Sequence, residues 1–179
     1  MNKAQEMLYA AQYQFEQTSP DYSVALNGDE NTPGFAEVAE QYGNTPAGNL
    51  AKMYAAACAL RLGDFDAAEG YINGFKNVKG IPGELVNAMA AGIKGDIAVE
   101  KDDFAKAASL FEQAAKQAAE TILELRRVRL DLISGEYGDG VYGAGLESAL
   151  REIDRIEKSY LELFFGKSEE RIFTKRIYM

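Results

Sequence analysis

Gly138-Asp139-Gly140-Val141-Tyr142-Gly143 has the G-x-G-x-x-G spacing with which a glycine-rich turn admits a dinucleotide pyrophosphate. That chemistry needs a strand before the turn and a helix directly behind it, so that the phosphates meet a helix N-terminus. Here a charged helical segment precedes the glycines and no βαβ pattern surrounds them, so a hairpin loop is expected. Asn27-Gly28-Asp29-Glu30-Asn31 is rich in oxygen donors but lacks the spaced ligands and terminal Glu of a calcium loop. The acidic pair Asp102-Asp103 is better explained by helix capping. Arg126, Arg127 and Arg129 form a basic turn suited to gripping a carboxylate or phosphate. Glu120, Glu124 and Asp131 lie close enough to neutralise it, which favours a solvated helix face. Cys58 falls in an Ala-rich run and reads as a small buried hydrophobe, because a catalytic thiol needs a base beside it. Histidine is absent from the chain, which removes the commonest general base and neutral metal ligand. With no triad, metal cluster or phosphate loop, the expectation is a non-enzyme with no catalytic residue, cofactor or metal.

Composition sets the remaining bounds. A chain of 179 residues can build one sizeable core or two small helical units. Its 47% hydrophobic content rests on Ala, Leu and Ile, which suits close-packed helices. A formal net charge of −9 argues against nucleic acid or an anionic membrane surface as the main partner, and is compatible with a weakly basic client. One cysteine forms no intrachain disulfide, so cysteine usage is silent on compartment. No apolar stretch follows Met1-Asn2-Lys3-Ala4-Gln5-Glu6, and the run from Met53 to Leu60 is far short of the roughly 20 residues that span a bilayer. A soluble segment without direct membrane insertion is expected.

Any site must therefore be positioned by helices. Pro20, Pro33, Pro46 and Pro82 stand where helices start, three of them behind Thr or Ser, and mark starts near 21, 33, 46 and 82. The spacing predicts helices at about 2–16, 33–42, 46–62, 64–76, 82–100, 103–133 and 145–165, with a short helical turn inside 21–31. Between Asn49 and Gln117 one helix–turn–helix pattern occurs twice. Ala56 lies nine residues before Phe65 with Ala68 three beyond, and Gly95, Phe104 and Ala107 repeat that spacing. The pattern resembles the tetratricopeptide repeat, in which small residues let paired helices approach and aromatics fill the gaps. Gly95 is then expected at a close helix crossing, and Asp64 and Asp103 as caps of the second helices.

In such arrays the first helix of each pair lines the groove. The register makes Leu50, Met53, Ala57 and Leu60, then Met89, Gly92, Asp96 and Val99, the candidate protein-binding residues. They lack the Lys, Arg and Asn of a carboxylate clamp, and an apolar, Met-containing surface suits extended or helical segments. The bland alternative is that N-terminal helices or a second copy of the chain cover them.

Beyond Lys116 the composition shifts. Ile122, Leu125 and Leu132 supply one apolar stripe, five glycines follow between Ser134 and Gly145, and Leu146, Leu150, Ile153, Ile156, Tyr160 and Leu163 supply another. An antiparallel hairpin is expected, with Glu147–Arg151 and Asp154–Lys158 on its wet face. Arg171–Tyr178 alternates like a strand with nothing to pair against.

Tyr13-Gln14-Phe15-Glu16, Ala25-Leu26-Asn27-Gly28-Asp29, Gly34-Phe35 and Gly48-Asn49-Leu50-Ala51 are similar to blocks in bacterial membrane-anchored, periplasmic tetratricopeptide-repeat proteins. The resemblance covers about 9–116 and implies a periplasmic location and a role assisting secreted proteins near the translocon. Residues 118–179 resemble the helical hairpin of a separate bacterial family of unknown function, through Ile122-Leu123-Glu124-Leu125-Arg126, Leu132-Ile133-Ser134-Gly135-Glu136 and Tyr160-Leu161-Glu162-Leu163-Phe164-Phe165-Gly166-Lys167. Together these imply a composite joined inside one helix near Lys116–Ala119, natural or engineered. The expectation is an all-α protein: a tetratricopeptide-repeat-like α-α superhelix at 1–116, then a C-terminal antiparallel helical hairpin with a strand-like tail at 117–179. Its expected function is a non-enzymatic interaction scaffold of the bacterial cell envelope with a protein or peptide client. The alternative is a structural or oligomerising module, such as a homodimer, with no client.

Overall fold

Caps decide where the helices of this chain begin. The computed structural model describes residues 2–134 together with Arg151, Arg155 and Lys158. Its helices are α1 Lys3–Phe15, α2 Tyr22–Asn27, α3 Phe35–Gln41, α4 Pro46–Arg61, α5 Phe65–Gly74, α6 Ile81–Glu100 and α7 Phe104–Ser134. Among the described residues there is no strand, only an isolated bridge between Gly28 and Pro33, and the fold is all-α. None of these helices is long and apolar enough to cross a membrane.

Asn2 and Gln5 form a capping box on α1, each side chain accepting from the other's backbone amide at 3.0 and 3.2 Å. Thr45 caps α4 by accepting from Gly48 N–H at 3.1 Å, with Pro46 in the first helical position. Pro82 sits in the first turn of α6. Pro20 and Pro33 depart from the expected pattern, since each lies one residue outside its cap. Asp21 displaces Pro20 because its carboxylate serves two amides, Ser23 at 2.9 Å and Val24 at 3.1 Å. Pro33 belongs to the bridge with Gly28, and Gly34 is the cap of α3. A Cβ on Gly34 would overlap backbone atoms of Gly28, Leu26 and Asn27, so only glycine fits that crossing.

Two turns repeat. Between α4 and α5, Leu62 N–H donates to Cys58 C=O at 3.0 Å and Asp64 N–H to Ala59 C=O at 2.9 Å, around Gly63 at φ +80°. Between α6 and α7, Lys101 N–H donates to Ile97 C=O at 3.1 Å and Asp103 N–H to Ala98 C=O at 2.8 Å, around Asp102 at φ +59°. Both close a helix through a left-handed residue, as a Schellman ending does. In both the next residue caps the following helix: Asp64 accepts from Ala67 N–H at 3.0 Å, and Asp103 from Lys106 N–H at 3.1 Å.

α4 lies at the centre of the core. It buries Ala47, Gly48, Ala51, Met53, Ala55, Ala56, Cys58 and Ala59, because α1, α2 and α3 approach from some sides and α5 and α6 from others. A helix buried nearly all round needs small residues, and at Gly48 even a Cβ would run into the Tyr42 carbonyl. Phe15 joins the N-terminal helices to α4 through edge contacts to Tyr22, Phe35 and Tyr54, while Phe35 and Tyr54 stack at 4.9 Å. Tyr54 Oη accepts from Gln12 Nε2 at 3.1 Å, which satisfies the polar end of that cluster.

The chain divides into two compact units, Met1–Gln117 and Ala118–Met179, with the division inside α7. The expectations for the glycine-rich loop, the returning helix at 145–165 with its charge pairs, and the strand-like tail fall outside the described residues.

Candidate functional site

The eight groove candidates form two repeat-equivalent rows on neighbouring helices. Leu50, Met53, Ala57 and Leu60 lie on α4, and Met89, Gly92, Asp96 and Val99 occupy the same steps on α6, which packs beside it. Leu50, Ala57, Leu60, Met89 and Gly92 are half-buried, whereas Asp96 is exposed and Val99 is 37% exposed. Met53 departs from the expectation of a client-facing residue. It is 1% exposed and belongs to the core, because α4 is enclosed on more sides than a groove helix at an open edge. The accessible part of the surface therefore lies toward the C-terminal half of α6.

Asp96 is the ionisable member of these rows. Partial burial raises its carboxyl above the ordinary value, Arg61 at the end of α4 opposes that rise, and Glu100 adds to it.

The connection from α5 to α6 is held by two asparagines that sequence reasoning did not single out as site residues. Asn49 on α4 accepts from Lys76 N–H at 2.8 Å and donates to Lys76 C=O at 2.7 Å. Asn87 on α6 does the same for Val78, accepting and donating at 2.8 Å. Each amide thus reads one residue of an extended segment as a neighbouring strand would, at alternate positions. The available signal is an Asn inside a helix, where it is a poor helix former unless its amide has other work. Val78 also fixes Gly83, since a Cβ there would lie 2.6 Å from Val78 Cγ1.

The remaining candidates resolve into structural roles or surface. Burial pushes the Cys58 thiol up to about 12, so thiolate is scarce at neutral pH. Asp29 Oδ1 accepts from Asn31 N–H at 2.9 Å and Thr32 N–H at 2.7 Å, closing the turn between α2 and α3, and these bonds lower its carboxyl below the ordinary value. Asp102 supplies the left-handed residue of its turn, and Asp103 the cap. Arg127 is exposed, and the side chains of Arg126 and Arg129 fall outside the described residues. Among the described residues no three His, Cys, Asp or Glu side chains gather as metal ligands. Lys101 Nζ, at the end of α6, donates to Asp66 Oδ1 at 2.8 Å and Glu69 Oε2 at 2.6 Å on α5, joining the two hairpins at the surface.

Comparison with known proteins finds no matching family, curated protein or solved structure.

Proposed function

We propose that this chain is a non-enzymatic helical-repeat scaffold of the bacterial cell envelope that binds a protein or peptide client on the surface of α4 and α6. The observation that carries this reading is the duplicated turn: Gly63 with Asp64 and Asp102 with Asp103 close two hairpins through the same pair of bonds and the same cap. Hairpins repeated in register and packed side by side are the building principle of tetratricopeptide-like superhelices, whose function is recognition. The two caps lie 39 positions apart, longer than a unit of about 34 residues. The extended segment held by Asn49 and Asn87 accommodates the extra length. The periplasmic assignment rests on the resemblance of the Tyr13-Gln14-Phe15-Glu16, Ala25-Leu26-Asn27-Gly28-Asp29, Gly34-Phe35 and Gly48-Asn49-Leu50-Ala51 blocks.

A photo-crosslinking residue at Val99, compared with one at exposed Glu37 on α3, tests the reading in a periplasmic extract. A discrete adduct formed at Val99 and not at Glu37 is the expected result. Adducts at neither position, or equally at both, end it. A second reading, an oligomerising module without a client, draws support from the exposed aromatic side chains of α7.

A further inference from the structure

Between α5 and α6 the chain runs as a short extended segment, and the two asparagines that hold it also decide which of its bonds a protease can reach. Asn49 engages both backbone groups of Lys76, and Asn87 both of Val78. In an extended chain successive residues turn these groups to opposite edges. The edge carrying Asn77 and Lys79 therefore faces away from the asparagines, and no hydrogen bond from the described residues reaches its N–H and C=O groups. Residues 76–80 are all exposed, and a Cβ on Gly80 would meet nothing within 4 Å. The Lys79 ammonium enters no ion pair among the described residues.

We infer that Lys79–Gly80 is a built-in cleavage site for an endopeptidase with a carboxylate at the base of its specificity pocket. Such an enzyme takes its substrate as an added strand, pairing with a free edge while the pocket receives the side chain before the cut bond. Asn77 offers that edge, and Lys79, two residues on, offers both the edge and the cation. Lys76 has the same side chain, but its N–H and C=O are already bonded to Asn49. Lys101 also lies outside a helix, yet its N–H is bonded to Ile97, its ammonium to Asp66 and Glu69, and two aspartates follow it. Lys52, Arg61, Lys94, Lys106 and Lys116 lie within helices, where the backbone is paired along the axis. Hydrolysis adds water across the bond, leaving a carboxylate on Lys79 and an ammonium on Gly80. That ammonium sits at the positive end of α6, so the nick weakens the start of the helix. The two halves stay attached, because α6 packs on α4 and α5 and the asparagines keep their hold on Lys76 and Val78. The site does not rest on the client surface, and either can exist without the other.

Trypsin at a low ratio to the folded full chain, with the first fragments identified by mass spectrometry, tests the site. Within residues 2–134 the first cut is expected after Lys79, faster than after Lys76 by roughly tenfold or more, the bias that two ordinary hydrogen bonds confer. Lys79→Gln should abolish that cut without changing the helical circular dichroism spectrum, and Asn49→Ala should raise cleavage after Lys76 toward it. The nicked chain should still run as one particle in gel filtration. Equal cutting after Lys76 and Lys79, a first cut inside a helix of residues 2–134, or separation of the fragments would overturn the inference.

Discussion

The α4–α5 hairpin and the α6–α7 hairpin are built on one turn, yet they bury different things. In the first, α4 is enclosed by α1, α2, α3, α5 and α6, and alanine or glycine occupies most of its buried positions. In the second, α6 is covered less completely, and Phe111 of α7 lies over Gly95 with its ring partly in solvent. The equivalent positions in the first hairpin hold Ala56 and Ile72, both in the core. Local chemistry thus makes the hairpin, and position in the row of helices decides how deeply it is covered. A small residue faces a large one in both hairpins, but the sizes are redistributed: Ala with Ile inside, Gly with Phe at the open edge.

The largest effect should come from the enclosed hairpin. Gly48→Ala puts a methyl group into the Tyr42 carbonyl, where backbone must move, and should cost about 3 kcal/mol in urea denaturation. Gly70→Ala, in α5 with open space around it, should instead stabilise by about 0.5–1 kcal/mol through helix propensity. Equal effects at the two glycines would mean that α4 is not enclosed in this way.

Next is the open hairpin. Gly95→Ala meets the Phe111 ring at 2.6 Å, but that ring can swing toward solvent, so a smaller cost of about 1–2 kcal/mol is expected. Combining it with Phe111→Ile recreates the pair found at Ala56 and Ile72, and the double-mutant cycle should show favourable coupling of about 0.5–2 kcal/mol. Strict additivity would break the equivalence of the two hairpins.

The turns themselves give a smaller, sign-specific test. Gly63 and Asp102 share the left-handed conformation, and Gly63 has open space where a Cβ would go. Gly63→Ala should therefore cost about 1 kcal/mol through φ alone, and Asp102→Gly should gain a similar or smaller amount. Thermal melts of both variants suffice, and a loss on Asp102→Gly would show that its carboxylate does more than occupy the turn.

The smallest effect belongs to Lys101. Its hydrogen bonds and charge hold the carboxyls of Asp66 and Glu69 below their ordinary values of 3.8 and 4.5, and they in turn raise the Lys101 ammonium above 10.5. Depressed carboxyls contribute stability above their unfolded values and lose it as pH falls through the folded ones; the raised lysine contributes below its unfolded value and loses it as pH rises through the folded one. The stability difference between the native chain and Lys101→Met should be flat across neutral pH and shrink at both extremes. High salt should reduce it, as expected for an exposed pair. A difference that persists in strong acid would assign Lys101 a packing role instead.

Much of the fold follows from residues acting over one turn of chain. Asp64 and Asp103 cap where they stand, the Gly63 and Asp102 turns recur because the same short bonds close them, and six expected helix spans among the described residues agree with α1 and α3–α7 to within a few residues. The short turn of helix inside 21–31 is α2. Pro20 and Pro33 stand within two residues of the starts of α2 and α3 without being their first helical residues, because Asp21 and Gly34 are better caps for reasons one side chain or one backbone crossing away.

What the sequence determined by itself is the all-α class and the duplicated hairpin, and it proposed the strip from Leu50 to Val99, because capping and helical periodicity act over three or four residues. Only the tertiary structure decided which members of that strip meet solvent. Met53 and Val99 carry the same kind of local signal, but five helices close around α4 while the end of α6 stays open. The need for glycine at 34 and 48 and the reading of Lys76 and Val78 by Asn49 and Asn87 likewise depend on what lies across the fold. Burial is a property of distant neighbours, and no spacing along the chain contains it.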